Sequence, residues 1–356
     1  MAEHDFFTDL AGTDKRTNIP STISSPVWSG GVTTLTSFYT GSTQSGSSGD
    51  YYYDVFDKVG TDTTREVQFA IAYGHFDGSG SLSTSKGNNP SKAVYRQFRN
   101  ICIRNANSDS QFEFPEGNAN VFKDIYVINV NRARYREKID PGNWELHLSG
   151  SSPTAPNHPI KLIDDSGATA DSSINASKRV FNIVSGSIEN GVSTIKIGAA
   201  SQSTAVSGEP LSALGSLGYF FPELGIIVLN AYALNQSSLG ITVDRTANVL
   251  KNNAGELYNA VSAGSYYQAR REEQIKSSHY FCRVRSDEYN WSQNPTYYTG
   301  DNAEIRNSTF IQDPKSYITT VGLYNNSNEL LAVAKLSQPL LKSRDREAVI
   351  KVRLDF

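Results

Sequence analysis

Cysteine, methionine, surplus charge and long apolar runs are all scarce in this chain. Its 356 residues hold two Cys and one Met. Cys102 and Cys282 lie far apart with no metal-ligand spacing, so no disulfide framework is implied and a reducing compartment during synthesis is the natural setting. A formal net charge of −3 argues against a dedicated nucleic-acid binder, whose footprint would be clearly basic. The longest apolar run, Gly225 to Asn230, is far too short to span a bilayer. The opening MAEHDFFTDLAGTDKR carries charge where a signal peptide needs an apolar stretch. The expectation is a soluble protein made in the cytosol, with no membrane and no nucleic acid among its partners.

Catalytic and metal-binding patterns are equally sparse. The five His (His4, His75, His147, His158 and His279) show no i,i+4 pairing and no Cys or carboxylate at ligand spacing. Gly78-Ser79-Gly80 with Lys86 fails as a phosphate loop, because Lys86 precedes Gly87 instead of following a glycine. Asp77-Gly78-Ser79 and Asp164-Asp165 read as turn chemistry, since a calcium loop needs more carboxylates at alternating positions. No G-x-S-x-G is present, and neither Cys has a neighbouring His to activate it. No catalytic residue, metal or cofactor is implied. A carboxylate pair assembled only by the fold stays open.

What is abundant is aromatic and turn-forming. Aromatics make up 11% of the chain, with 19 Tyr, and such rings among Ser, Asn and Gly suit strands joined by turns and contact surfaces. Residues 1–50, with Ile19-Pro20, Ser25-Pro26 and the run GSTQSGSSGD, read as an extended arm without a core of its own. Trp28, Phe38 and Tyr39 need burial, either on their own domain or on a neighbouring subunit. Residues 51–148 form the first part of the core: strands at YYYDVFDKV, REVQFAIAYGHF and KDIYVINV, and a helix from Pro90 with an apolar stripe of Val94, Phe98, Ile101 and Cys102. Asp140-Pro141-Gly142-Asn143 is a strong turn into the strand Trp144–Leu148. Residues 149–215, rich in Ser, Gly, Ala and Asn, read as a loop-heavy β insertion projecting from the core. Residues 216–356 complete that core, with a short helix over Asn253–Ala263 closed by Gly264. The Tyr317–Leu340 region alternates apolar and polar residues about the turn Asn325-Asn326-Ser327-Asn328, which predicts a β-hairpin. A final strand follows, with Val349, Lys351, Arg353 and Asp355 on one face and Ile350, Val352, Leu354 and Phe356 on the other. The fold class expected is α+β and β-dominated, with a composite antiparallel core.

If Asn131–Lys138 extends its strand, Arg132, Arg134 and Arg136 line one face. Three readings follow: a solvated strand face, a phosphate site disfavoured by the net charge, or a guanidinium ladder meeting carboxylates of a partner chain. The same readings cover Arg270, Arg271, Arg283 and Arg285.

Several stretches carry a resemblance. Gly60–Thr64 with REVQFAIAYGH, SKAVYRQFRN, IYVINVNRARYREKIDPGNWEL, AGSYYQARREEQIKSSHYFCRVRSDEYNWSQNPTY and YITTVGLYNNSNELLAVAKLSQPL look like a virion structural protein. The chain is similar to those of large contractile-tailed bacteriophages, notably the T-even-like phages of marine cyanobacteria, over about 51–148 and 218–356. Residues 149–215 depart from that pattern. The resemblance implies a non-enzymatic baseplate or tail-associated subunit, placed in the baseplate wedge, whose partners are other copies of itself and neighbouring tail proteins. It implies assembly in the bacterial cytoplasm and residence in the virion. YITTVGLYNNSNELLAVAKL also resembles attachment domains of tail fibres, which makes a fibre-attachment or receptor-binding protein the alternative and a glycan-cleaving tail enzyme a third class.

Overall fold

The computed structural model of the protein describes residues 9–41, 52–80, 89–103, 105–115, 121–149, 160–167, 179–197, 216–235, 241–245 and 252–355. It is α+β and strand-dominated. Two compact units divide the chain, Ile23–Glu273 and the combination of Met1–Thr22 with Gln274–Phe356. This division differs from the sequence-based boundaries, because the last quarter of the chain gathers with its first residues instead of with the central strands.

The larger unit is built on one antiparallel sheet. Its strands run β2 (Thr34–Leu35), β16 (Tyr267–Gln268), β10 (Glu145–Leu148), β11 (Ile160–Asp164), β12 (Phe181–Glu189), β14 (Gly218–Phe221), β15 (Ile226–Asn230), β8 (Asp124–Val130), β5 (Val67–His75), β4 (Tyr52–Phe56) and β3 (Tyr39–Thr40), while β13 (Val192–Ile197) also pairs with β12. The middle strands are apolar at successive positions because both faces are covered. On β8, Tyr126, Ile128 and Val130 enter one apolar cluster, and Ile125 and Val127 enter the other. On β15 the same split sends Ile227 and Leu229 one way and Ile226 and Val228 the other. Each such aliphatic side chain contributes about 1.5–3 kcal/mol by leaving water.

One face is covered by α1 (Pro90–Cys102). Pro90 opens the helix, where its missing N–H costs nothing, and Asn89 stands at the cap and donates to Gly78 O at 2.8 Å. Tyr95, Phe98 and Cys102 are buried, and the Tyr95 hydroxyl donates to Phe122 O at 2.7 Å while accepting from Phe112 N at 3.0 Å. These bonds fix the small pair β6 (Phe112–Glu113) and β7 (Val121–Phe122) beside the helix. The other face carries α4 (Asn253–Gly264), capped by Asn252 accepting from Gly255 N, together with the short α3 (Ala231–Leu234). The left-handed residue that ends α4 is Ser265, not Gly264.

Two regional expectations are corrected. The described part of the arm belongs to the fold, while residues 1–8 and 42–50 lie outside the described residues: β1 (Lys15–Pro26), β2 and β3 are sheet strands, and Val27, Trp28, Leu35 and Phe38 are core residues. The described strands of the 149–215 region do not project outward. β11 and β12 lie inside the sheet between β10 and β14, where Leu162, Ile183 and Phe181 are buried. Gly, Ser and Ala in quantity disguise strands whose stability comes from distant partners.

In the smaller unit, β17 (Arg270–Val284) lies between β1 and β22 (Ala348–Asp355), with Ser277–Val284 antiparallel to Ala348–Asp355. The final strand alternates as its sequence predicts: Ile350 and Val352 are buried, while Val349, Lys351, Arg353 and Asp355 are exposed. Phe356 lies outside the described residues. Arg271 and Glu272, at the start of β17, pair instead with β9 (Lys138–Ile139). A small ladder joins β18 (Tyr298–Thr299) to β19 (Glu304–Ile305), α5 (Thr309–Gln312) follows, and β20 (Lys315–Tyr324) and β21 (Leu330–Ser343) form a two-stranded sheet. The hairpin turn is the expected one, with Asn328 left-handed (φ 60°) and Asn325 Oδ1 accepting from Ser327 N at 3.0 Å and Glu329 N at 2.8 Å.

His75 ends β5 and gives the larger unit a pH dependence. Its Nδ1 accepts from the backbone N–H of Asp77 (3.1 Å) and Ser79 (3.3 Å), so the neutral ring is the one built in. Burial holds its pKa below the ordinary 6.5, helped by Arg245 and Lys123 and opposed by Asp124 and Asp77. The unfolded chain therefore binds this proton more readily, and stability present above pH 6.5 is lost as pH falls. The melting temperature of the wild type should drop further between pH 7 and pH 5 than that of His75→Asn, whose amide oxygen accepts without titrating; equal drops would remove His75 from the account.

Candidate interaction surface

The arginines expected to form a row do not. Asn131 Oδ1 accepts from Ala133 N at 3.1 Å and starts a single helical turn, α2 (Arg132–Tyr135), in place of continued strand. The turn sends the three guanidinium groups to different partners. Arg132 donates to Glu223 O at 3.0 Å and Glu137 O at 3.3 Å and lies 4.8 Å over the Tyr135 ring. Arg134 pairs with Glu66 at 2.8 Å and with Ser29, and Arg136, at φ 41°, meets Glu273 at 3.1 Å. Each binds within its own chain, so no ladder faces outward.

Arg271 follows the same rule, reaching Ser25 Oγ at 2.8 Å and Glu273 at 3.2 Å. Arg283 pairs with Asp14 at 2.8 Å; the carboxylate is buried while the guanidinium is mostly exposed. Arg285 is exposed beside it in sequence, with its backbone N–H held by Glu288 at 2.9 Å. Of the aromatic candidates, Trp28 and Phe38 are buried and only Tyr39, on β3, is partly accessible.

What sequence reasoning missed lies on the hairpin. Exposed large apolar residues gather there: Tyr317 and Tyr324 on β20, and Leu330, Leu331, Val333 and Leu340 on β21. Leu331 is 67% exposed and Val333 55%. The two strands pair from Lys315↔Ser343 to Tyr324↔Leu330, and among the described residues neither outer edge meets a further strand. Alternation alone identifies a strand; it says nothing about whether the apolar face has a cover within the same chain.

The hairpin is fixed at its base by a buried ammonium. Lys342 is fully buried, with Nζ donating to Ser286 O (3.0 Å), Asn290 Oδ1 (2.9 Å) and Ser343 O (2.9 Å). Burial pushes its pKa down while Asp287, Glu288 and Glu347 pull it back up. Opposite it in the ladder, Ser316 donates to Tyr289 O. The base is thus tied to the 286–290 segment, and the apolar stretch beyond it is the part left open.

Elsewhere the buried acids have structural partners. Asp164 accepts from Gly142 N at 2.8 Å and Ser166 N at 3.0 Å, and Asp165 accepts from Asn182 N at 2.9 Å. Cys102 is buried and Cys282 half-buried. Among the described residues, no group of three His, Cys, Asp or Glu is arranged to hold a metal ion, and no helix is long and apolar enough to cross a membrane. No protein-family model, curated protein or solved structure matches the chain.

Proposed function

We propose that the chain is a non-enzymatic structural subunit of a contractile phage tail, a baseplate wedge component, and that β20–β21 is the surface by which it joins the assembly. The observation that carries this reading is the open hairpin. An isolated two-stranded ladder is marginal in water, and unpaired edges with exposed leucines invite another strand. The occupant is an extended strand of another copy or of a neighbouring tail protein, which would continue the ladder and cover Leu331 and Val333. The stretch from Leu330 to Leu340 carries only Lys335 as a charged side chain, so an apolar partner strand meets little desolvation penalty.

The test is the double substitution Leu331→Lys, Val333→Lys. Both sites are exposed, so stability should change by less than about 1 kcal/mol, while incorporation into particles falls at least tenfold. Wild-type incorporation of the folded variant would overturn the proposal. A variant that assembles normally but no longer competes with phage for cells would favour the fibre-attachment reading.

A further inference from the structure

Trp291 and its neighbours form a second exposed feature, separate from the hairpin's apolar stripe. The indole stacks on Tyr298 (centroids 5.6 Å apart, planes at 15°) and meets Tyr297 edge-on at 6.0 Å, with Phe310 5.9 Å beyond Tyr297. Trp291 remains 47% exposed. Nearly half of the residue thus stays open to solvent beside its stacked partner Tyr298. The platform is held in place: the Tyr297 hydroxyl donates to Asn290 O at 3.3 Å, Asn290 Nδ2 donates to Ser286 O at 2.7 Å, and Lys342 grips the same segment. A preorganised ring loses little freedom when a ligand settles on it.

Around it the segment exposes Gln293, Asn294, Thr296, Thr299 and Asn302. Amides and hydroxyls beside an open aromatic face match one ligand chemistry well. A pyranose presents a flat patch of C–H bonds to the ring and a rim of hydroxyls to the amides. We infer that the Trp291–Tyr298 platform binds saccharide. The segment from Arg285 to Asp313 holds Asp287, Glu288, Asp301, Glu304 and Asp313 against only Arg285 and Arg306. That excess of acid selects neutral or N-acetylated sugars over sulfated or phosphorylated ones.

The chain supplies its own reporter. Of its three tryptophans, Trp28 and Trp144 are 2% and 1% exposed, so Trp291 alone is open to a quencher. Full-length protein is titrated with chitohexaose and with maltohexaose while iodide quenching of indole emission is followed. Saturable protection by either sugar is expected, and it should weaken several-fold in Tyr298→Ala, which keeps the Trp291 reporter and removes its stacking partner. Dextran sulfate should give none. Absence of protection by both hexaoses at millimolar concentration would overturn the inference. So would protection that follows protein concentration in place of sugar, which would make the platform a protein contact.

Discussion

Replacing Gly264 with alanine should destabilise the protein by about 3 kcal/mol or more, enough to lose the native state under mild conditions. Gly264 ends α4 where the helix lies against β10. A Cβ at this position would stand 2.1 Å from His147 O, 2.6 Å from His147 C and 3.2 Å from Leu148 N. These are backbone atoms of a strand paired on one side with β11 and on the other with β16, so they cannot retreat without breaking a ladder. The helix must lift instead, and Leu257, Ala260 and Val261 leave the core with it. Alanine's better helix propensity returns at most about 1 kcal/mol. Urea denaturation read by near-ultraviolet circular dichroism checks this, with Gly12→Ala as control. Nothing lies within 4 Å of a Cβ at Gly12, so that variant should stay within about 0.5 kcal/mol of wild type. Equal midpoints for the two variants would refute the close-contact argument.

Trp28→Ala should cost about 3–5 kcal/mol. The residue belongs to a segment whose composition suggests a loose arm, yet it is one of the large anchors of the core. Its ring centroid lies 4.7 Å from that of Tyr267 and 6.0 Å from that of Phe69, and its Nε1 donates to Tyr267 O at 3.0 Å. Truncation empties the space between those rings and strands a buried carbonyl. Trp28→Phe keeps much of the packing and forfeits the hydrogen bond, about 1 kcal/mol, so its denaturation midpoint should fall between the other two. Should Trp28→Ala melt with the wild type, the segment would be a detachable arm after all.

Legibility followed the range of the forces. The start of α1 was readable because Pro90 is a local instruction, and the β20–β21 turn because Asn325 and Asn328 satisfy it within five residues. The alternation of β22 needed only its own period. Trp28 was readable as a ring in need of burial but not as to where, since its partners lie on β5 and β16, far along the chain. β12 gave a weak signal for the same cause: Ile183 and Phe181 belong to a strand that makes sense only between β11 and β14. At Arg132–Arg136 two local instructions competed, and the Asn131 cap prevailed over the apolar run of β8 before it. On the hairpin, Leu331 and Val333 declared a strand but not their exposure, because no pattern within one chain records what lies outside it.

The placement of β1 has a consequence for biosynthesis. A ribosome completes residues 15–26 well before it makes the strand beside them, residues 270–284. Vectorial production therefore lets the contiguous segment 23–273 mature while the leading strand waits unpaired, and the discontinuous unit closes only after residues 274–356 are made. Stalled or prematurely terminated products would carry that strand unpaired, open to chaperones or to aggregation.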